Sequence, residues 1–146
     1  MNLLDALKRD HEEVKGLLKD ILHTDDGKER GEFFKKLKTN LTAHSRSEEK
    51  VIYRRMEKSR EGKDEALEGT VEHEVADYLL EGLARARDKA SDQWKARCTV
   101  LKEALEHHVE EEEGEFFDTA RKLFDDRQLE GMGEEFAKEK AKLGVK

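Results

Sequence analysis

The chain has 146 residues, a length that suits one domain around one core. A formal net charge of −7 without clustered Lys and Arg argues against a nucleic-acid partner. No run approaches the roughly 18 apolar residues of a membrane span, and the charged start Met1–Asp10 is unlike a secretory signal. The single Cys98 cannot form an internal disulfide, so the expected setting is cytoplasmic, with no membrane contact.

Charged residues make up 45% of the chain, which by composition alone would suit disorder. The apolar residues, however, fall on helical stripes, and there is no proline to interrupt long helices. A first helix is expected over Leu3–Leu22, with Leu4, Leu7, His11, Val14, Leu18 and Ile21 inward. His23 follows as a capping or surface residue at its C-terminal end. A second helix spans Glu29–Lys58, with Phe34, Leu37, Leu41, His44, Glu48, Ile52 and Met56 inward. The connection Ser59–Lys63 leads to a third helix over Glu65–Arg87, with Asp64 as its N-cap. Its face is read as Ala66, Thr70, His73, Asp77, Leu80 and Ala84.

A turn near Asp88–Ser91 precedes a fourth helix over Asp92–Phe124. The stripe there is Trp94, Cys98, Leu101, Leu105, His108, Glu112, Phe116, Ala120 and Leu123. Beyond Asp125–Arg127, a short fifth helix over Glu134–Leu143 is expected to cap one end. The fold class is therefore all-α: an up-down-up-down antiparallel four-helix bundle with a short C-terminal fifth helix. It is read as one domain over 1–146, with helical hairpins at 1–60 and 62–125 and a tail at 126–146.

The two hairpins repeat each other. His44-x-x-x-Glu48-Glu49 maps onto His108-x-x-x-Glu112-Glu113, and Asp10-His11-Glu12 resembles Glu72-His73-Glu74. Each half thus carries a lone inward His and an inward His-x-x-x-Glu. A carboxylate on an apolar stripe costs several kcal/mol unless it finds a counter-charge or neutralises. Four imidazoles and two carboxylates at one level of a bundle exceed a tetrahedral zinc site and lack the oxygens calcium needs. Two bridged metal ions use the set more naturally, leaving about one open position on each. Glu49 and Glu113, about 100° off the stripe, are expected on flanking faces, where alanine would be mild. Tyr53 and Tyr78 lie near the ligand level and are read chiefly as core. The run Glu110–Glu113 is read as a solvated face from which Glu112 alone turns inward.

In that order of motifs, and over nearly its whole length, the chain resembles a hemerythrin-like (HHE, cation-binding) domain. The resemblance implies a non-haem centre of two iron ions, oxo- or hydroxo-bridged, inside a four-helix bundle. It implies one iron held by His11 and His44, the other by His73 and His108, with Glu48 and Glu112 bridging. Hemerythrins proper place His-x-x-x-His on the third helix, whereas here Asp77 follows His73, as an oxygen ligand or as a carboxylate orienting a ligand histidine. They also separate His and carboxylate by five residues on the fourth helix. His107 has that spacing to Glu112, but His108 lies on the stripe and matches His44, leaving His107 as a flanking residue or outer donor.

Members bind dioxygen, sense oxygen or iron, or act on nitric oxide or peroxide. The expected function is to bind, sense or scavenge such a small oxidant, with peroxide- or nitric-oxide-consuming activity as the enzymatic form. Loss of the third His favours redox chemistry over reversible carriage. Iron storage or metal buffering without turnover is the alternative, as is a metal-free helical interaction module.

Overall fold

The computed structural model describes residues 1–145, and no strand occurs among the described residues. Helix α1 (Leu3–Leu22) starts at Asn2, whose side chain accepts the Asp5 N–H at 2.9 Å. Helix α2 runs through Gly27–Glu48, then a π turn at Glu49–Tyr53, and closes with Arg54–Glu57. Asp26 caps it by accepting the Lys28 and Glu29 N–H groups.

Helix α3 covers Lys63–Arg85 and begins at Gly62, not at the expected Asp64, which lies in its first turn. The Ser59 hydroxyl accepts the Gly62 N–H, so the turn is closed from outside the helix. Helix α4 comprises Asp92–Glu111, a π turn at Glu112–Phe116, and Phe117–Leu123. Ser91 caps it through the Trp94 N–H.

The two π turns follow from the sequence. Both long helices bury residues at three successive four-residue steps, His44–Glu48–Ile52–Met56 and His108–Glu112–Phe116–Ala120. In an α-helix each such step overshoots a full turn by about 40°, so three would carry the stripe roughly 120° off the core. The wider π turn absorbs the excess and keeps ligands and aromatics on one face.

Helix α5 (Asp126–Lys142) is longer than expected and does not sit across the end of the bundle; it packs along α1 and α2. Asp125 and Gln128 form a capping box at its start, and Leu129, Met132 and Phe136 are buried. These outweigh the cost of about 1 kcal/mol each for Gly131 and Gly133 within a helix. Gly133 is required there, because a Cβ would strike the Met1 carbonyl.

The helices are antiparallel in sequence order. Leu3, Leu4 and Leu7 from the start of α1 share a cluster with Ile52 and Met56 from the end of α2, and Ala66 of α3 joins Phe116 and Ala120 of α4. At the other end, Leu18 and Ile21 meet Phe34 and Leu37, while Leu80 and Leu83 meet Trp94 and Cys98. Buried Arg30 ties the end turns together through the Thr24 and Lys89 carbonyls, at 2.8 and 2.9 Å. The core is thus two apolar clusters, and a layer of polar side chains separates them.

Candidate metal centre

Each helix of the bundle contributes one buried histidine to that layer: His11, His44, His73 and His108. Glu48 and Glu112 are buried beside them, at 0% and 2% exposure. The His11 and His44 rings lie 5.1 Å apart, and those of His73 and His108 5.0 Å apart. Ligand atoms gather in two groups, His11–His44–Glu112 and Glu48–His73–His108, each within 4.8 Å. The carboxylates reach across both groups. Glu112 stands 3.1 Å from His11 Nε2 and 3.2 Å from His108 Nε2. Glu48 stands 3.1 Å from His73 Nε2 and 3.7 Å from His44 Nε2.

None of these approaches is aligned as a hydrogen bond. All four Nε2 atoms, both Glu48 oxygens and Glu112 Oε1 are buried without a partner among the described residues. Each such orphan costs about 1–3 kcal/mol. Seven together would consume a folding stability of only about 5–15 kcal/mol. Nitrogen and oxygen donors converging in this way are what metal ions satisfy, and the residues fit that role.

The outward ring nitrogens are all occupied, and by carboxylates. His11 Nδ1 pairs with Glu113 at 2.6 Å, His44 with Asp10 at 2.8 Å, His73 with Glu49 at 2.6 Å, and His108 with Glu72 at 2.7 Å. Such partners fix ring orientation and make Nε2 a better donor. Glu49 and Glu113, expected on flanking faces, therefore hold histidines in place. The residue before each lone histidine (Asp10, Glu72) does the same, a role sequence reasoning missed although both acids lie within the repeat. Asp10 also accepts a hydrogen bond from Lys140 of α5 at 2.7 Å, and Phe136 packs edge-on against His44.

Protonation differs between the halves of the layer. Burial pushes the His44 imidazole down to about 4, assisted by the nearby His11 charge. Burial also opposes charge on His108, but Glu112 and Glu72 overcome it and hold its pKa at about 11. His11 is likewise raised: burial is outweighed by Glu112 and Glu113. Burial and repulsion from Glu112 push Glu48 well above the carboxylate range. Glu112 goes the other way, its burial overcome by Glu48, His108 and His11.

The structure does not bring Asp77 to either group. Its carboxylate accepts a hydrogen bond from Arg46 at 2.8 Å, and Arg46 also holds Glu49 at 3.2 Å. Asp77 therefore acts on His73 only through Arg46 and Glu49. The reason is register: α3 buries Ala66, Gly69, His73, Ala76, Leu80 and Leu83, in alternating three- and four-residue steps. At each choice the inward residue is the small or apolar one at the shorter step, Ala76 and not Asp77.

His107 is exposed and paired with Glu111 at 2.9 Å. Tyr78 is exposed as well, against the core position expected for it. Tyr53 is buried: its ring stacks on His73 at 5.2 Å, and its hydroxyl donates to Glu112 at 2.9 Å. Gly69 makes room, since a Cβ there would lie 2.5 Å from the Tyr53 oxygen.

An antiparallel helical bundle with an inward-facing histidine and carboxylate layer defines a class of metal-binding proteins. The chain belongs to the hemerythrin HHE cation-binding domain family, whose model matches residues 2–120. A "DNA nickase" of Nostoc sp. (strain PCC 7120 / SAG 25.82 / UTEX 2576) is 29% identical over 143 residues. The match takes in 98% of this chain and 40% of that relative's length. No solved structure matches.

Proposed function

We propose that this chain holds two iron ions and uses them to bind, sense or scavenge dioxygen, nitric oxide or peroxide. The seven orphaned donor atoms carry this reading, because they form two groups spanned by the same two carboxylates. His11 and His44 would hold one ion, His73 and His108 the other, and Glu48 and Glu112 would bridge. Bound iron would supply a redox-active Lewis acid with an exchangeable position for a small ligand.

The chain's own residues prepare that position. Four carboxylates orient the imidazoles, and the Tyr53 hydroxyl holds Glu112 and places a proton donor within the layer. A cavity of about 560 Å³ reaches the four histidines between walls that include Val14, Leu18, Leu41, Ala76 and Leu105. Such walls admit small uncharged molecules and disfavour ions. With Asp77 outside the layer, the imidazoles divide two and two, so neither ion would be saturated by a third histidine. That division favours redox chemistry over reversible carriage.

The nicking in the relative's name is said of that longer protein, and a net charge of −7 gives no support for carrying it to this chain. No helix among the described residues is long and apolar enough to cross a membrane. The test is metal analysis of protein purified from iron-supplemented cells, with visible spectra under air and after reduction. About two irons per chain, lost in His44→Ala and in His108→Ala, are expected. Protein that stays iron-free would refute the proposal.

A further inference from the structure

The apolar cavity opens onto the layer from one side. A second opening is a recess of about 60 Å³ between α3 and α4, on the side of Tyr53 and Phe116. Its walls are carboxylates: Glu65, Glu68 and Glu72 from α3, with Glu111 and Glu115 from α4. Its floor is the layer itself, through His108 and Glu112, which are 6% and 2% exposed. Both floor residues carry unpartnered buried atoms, His108 Nε2 and Glu112 Oε1, and on the wall Glu65 Oε2 is orphaned as well. Glu72 and exposed Glu111 of this lining, together with exposed His107 next to it in sequence, place ligand atoms within 4.8 Å of one another. The apolar cavity has a mixed lining instead, with Lys15, Lys19 and Lys102 beside Glu72 and Glu106, and Lys102 paired to Glu106 at 2.9 Å.

We propose that the acidic recess is the route by which divalent cations enter the core, with Glu72, His107 and Glu111 as the first stopping point. The inference rests on the metal-centre reading above and adds to it a transient stop on the way in, not a further resident ion. Wall carboxylates of one sign focus the field and concentrate cations at the mouth. Glu72 belongs to both places: it lines the mouth and also holds His108 Nδ1, so an arriving ion is delivered beside a ligand histidine. Cations and uncharged ligands thus reach the layer from different sides.

The test mixes metal-free protein with cobalt(II) in a stopped-flow spectrometer and follows the visible bands of the bound ion. Glu68→Gln combined with Glu111→Gln removes two wall charges while leaving every partner of the four histidines in place. Loading should slow roughly tenfold at low salt, and the slowing should vanish at high salt. Cobalt per chain at completion should match the parent. Equal rates for parent and variant would overturn the route. So would a lower final cobalt content, which would make these residues permanent ligands. Faster loading in Lys15→Gln/Lys19→Gln would move the entrance to the apolar cavity and overturn it too. Failure of the parent to take up any cobalt would instead remove the metal centre itself, an outcome distinct from an unchanged rate.

Discussion

The clearest separation between a metal centre and a mere buried polar cluster lies in Glu113, which touches no proposed metal position. Its carboxylate accepts a hydrogen bond from His11 Nδ1 at 2.6 Å, while Nε2 of the same ring faces the layer. A hydrogen bond to a charged group contributes about 1.5–3 kcal/mol. Glu113 is about a quarter exposed on its side chain, so screening places the effect in the lower half of that range. With 1.4 kcal/mol per factor of ten, Glu113→Ala should weaken metal binding about 10- to 30-fold. Glu113→Gln should fall between, since an amide oxygen still accepts the N–H but carries no charge. Glu112→Ala removes a carboxylate that reaches both groups and should abolish retention of both ions. Competition against a chromogenic chelator under argon, at fixed pH, measures all three. The pseudo-repeat supplies an internal control: Glu49 stands on His73 at the same 2.6 Å, so Glu49→Ala should match Glu113→Ala. Glu113→Ala binding within twofold of the parent would refute the argument that the outer carboxylates tune the donors.

Chelation should lower the melting temperature by ten degrees or more, since several kcal/mol of orphaned donors lose their only partner; calorimetry with and without chelator checks this. The metal-free protein should be most stable on a plateau between about pH 4.5 and 6.5, where the raised Glu48 and the lowered His44 offset each other. His108, raised to about 11, contributes stability present below 6.5 and lost as pH climbs toward 11. His44, lowered to about 4, contributes stability present above 6.5 and lost as pH falls toward 4, so urea melts from pH 4 to 10 should trace a two-sided profile. Asp77→Asn should leave the metal content unchanged and shift affinity less than threefold, because Arg46 still holds Glu49; a loss of one ion per chain would put Asp77 back among the ligands.

Much of the architecture was legible because apolar spacing is a direct consequence of burial. The bounds of α1, the inward face of α2, and the positions of His11, His44, His73, His108, Glu48 and Glu112 all follow from it. Spacing was ambiguous on α3, where Thr70 and Asp77 compete with Gly69 and Ala76 for one face. The deciding fact there is cross-helix: the Tyr53 phenol fills the space that Gly69 leaves, which fixes the rotation of α3. The outer carboxylates were illegible for a related reason. A residue about 100° off the stripe faces solvent on an isolated helix, but in a bundle it faces the neighbouring helix. Glu113 finds His11 and Glu49 finds His73 only because α1 and α3 flank the π turns of α4 and α2. The start of α5 was hidden by two glycines, although the Asp125–Gln128 capping box stood in the sequence.

The repeat is not a true symmetry, and its break predicts unequal metals. Within each hairpin, the acid before the lone histidine holds the histidine of the second helix: Asp10 holds His44, and Glu72 holds His108. Asp10 is neutralised by Lys140 from α5, whereas Glu72 lies among the recess carboxylates with no such cation. Equivalent histidines also differ in character: burial takes His44 down to about 4, while Glu112 and Glu72 outweigh burial and hold His108 at about 11. At neutral pH the group around His44 presents a free imidazole, and only the raised His11 must yield a proton. The group around His73 must expel protons from both His108 and Glu48. Its affinity should therefore rise by up to about two decades per pH unit, against at most about one for the other group. Isothermal titration of metal-free protein with cobalt(II) should show two steps that converge as pH rises from 6.5 to 8. Proton uptake or release, read from the buffer dependence of the heats, should be concentrated in the weaker step. A single step, or two steps with equal pH slopes, would show that the two groups do not differ in the protons they must release.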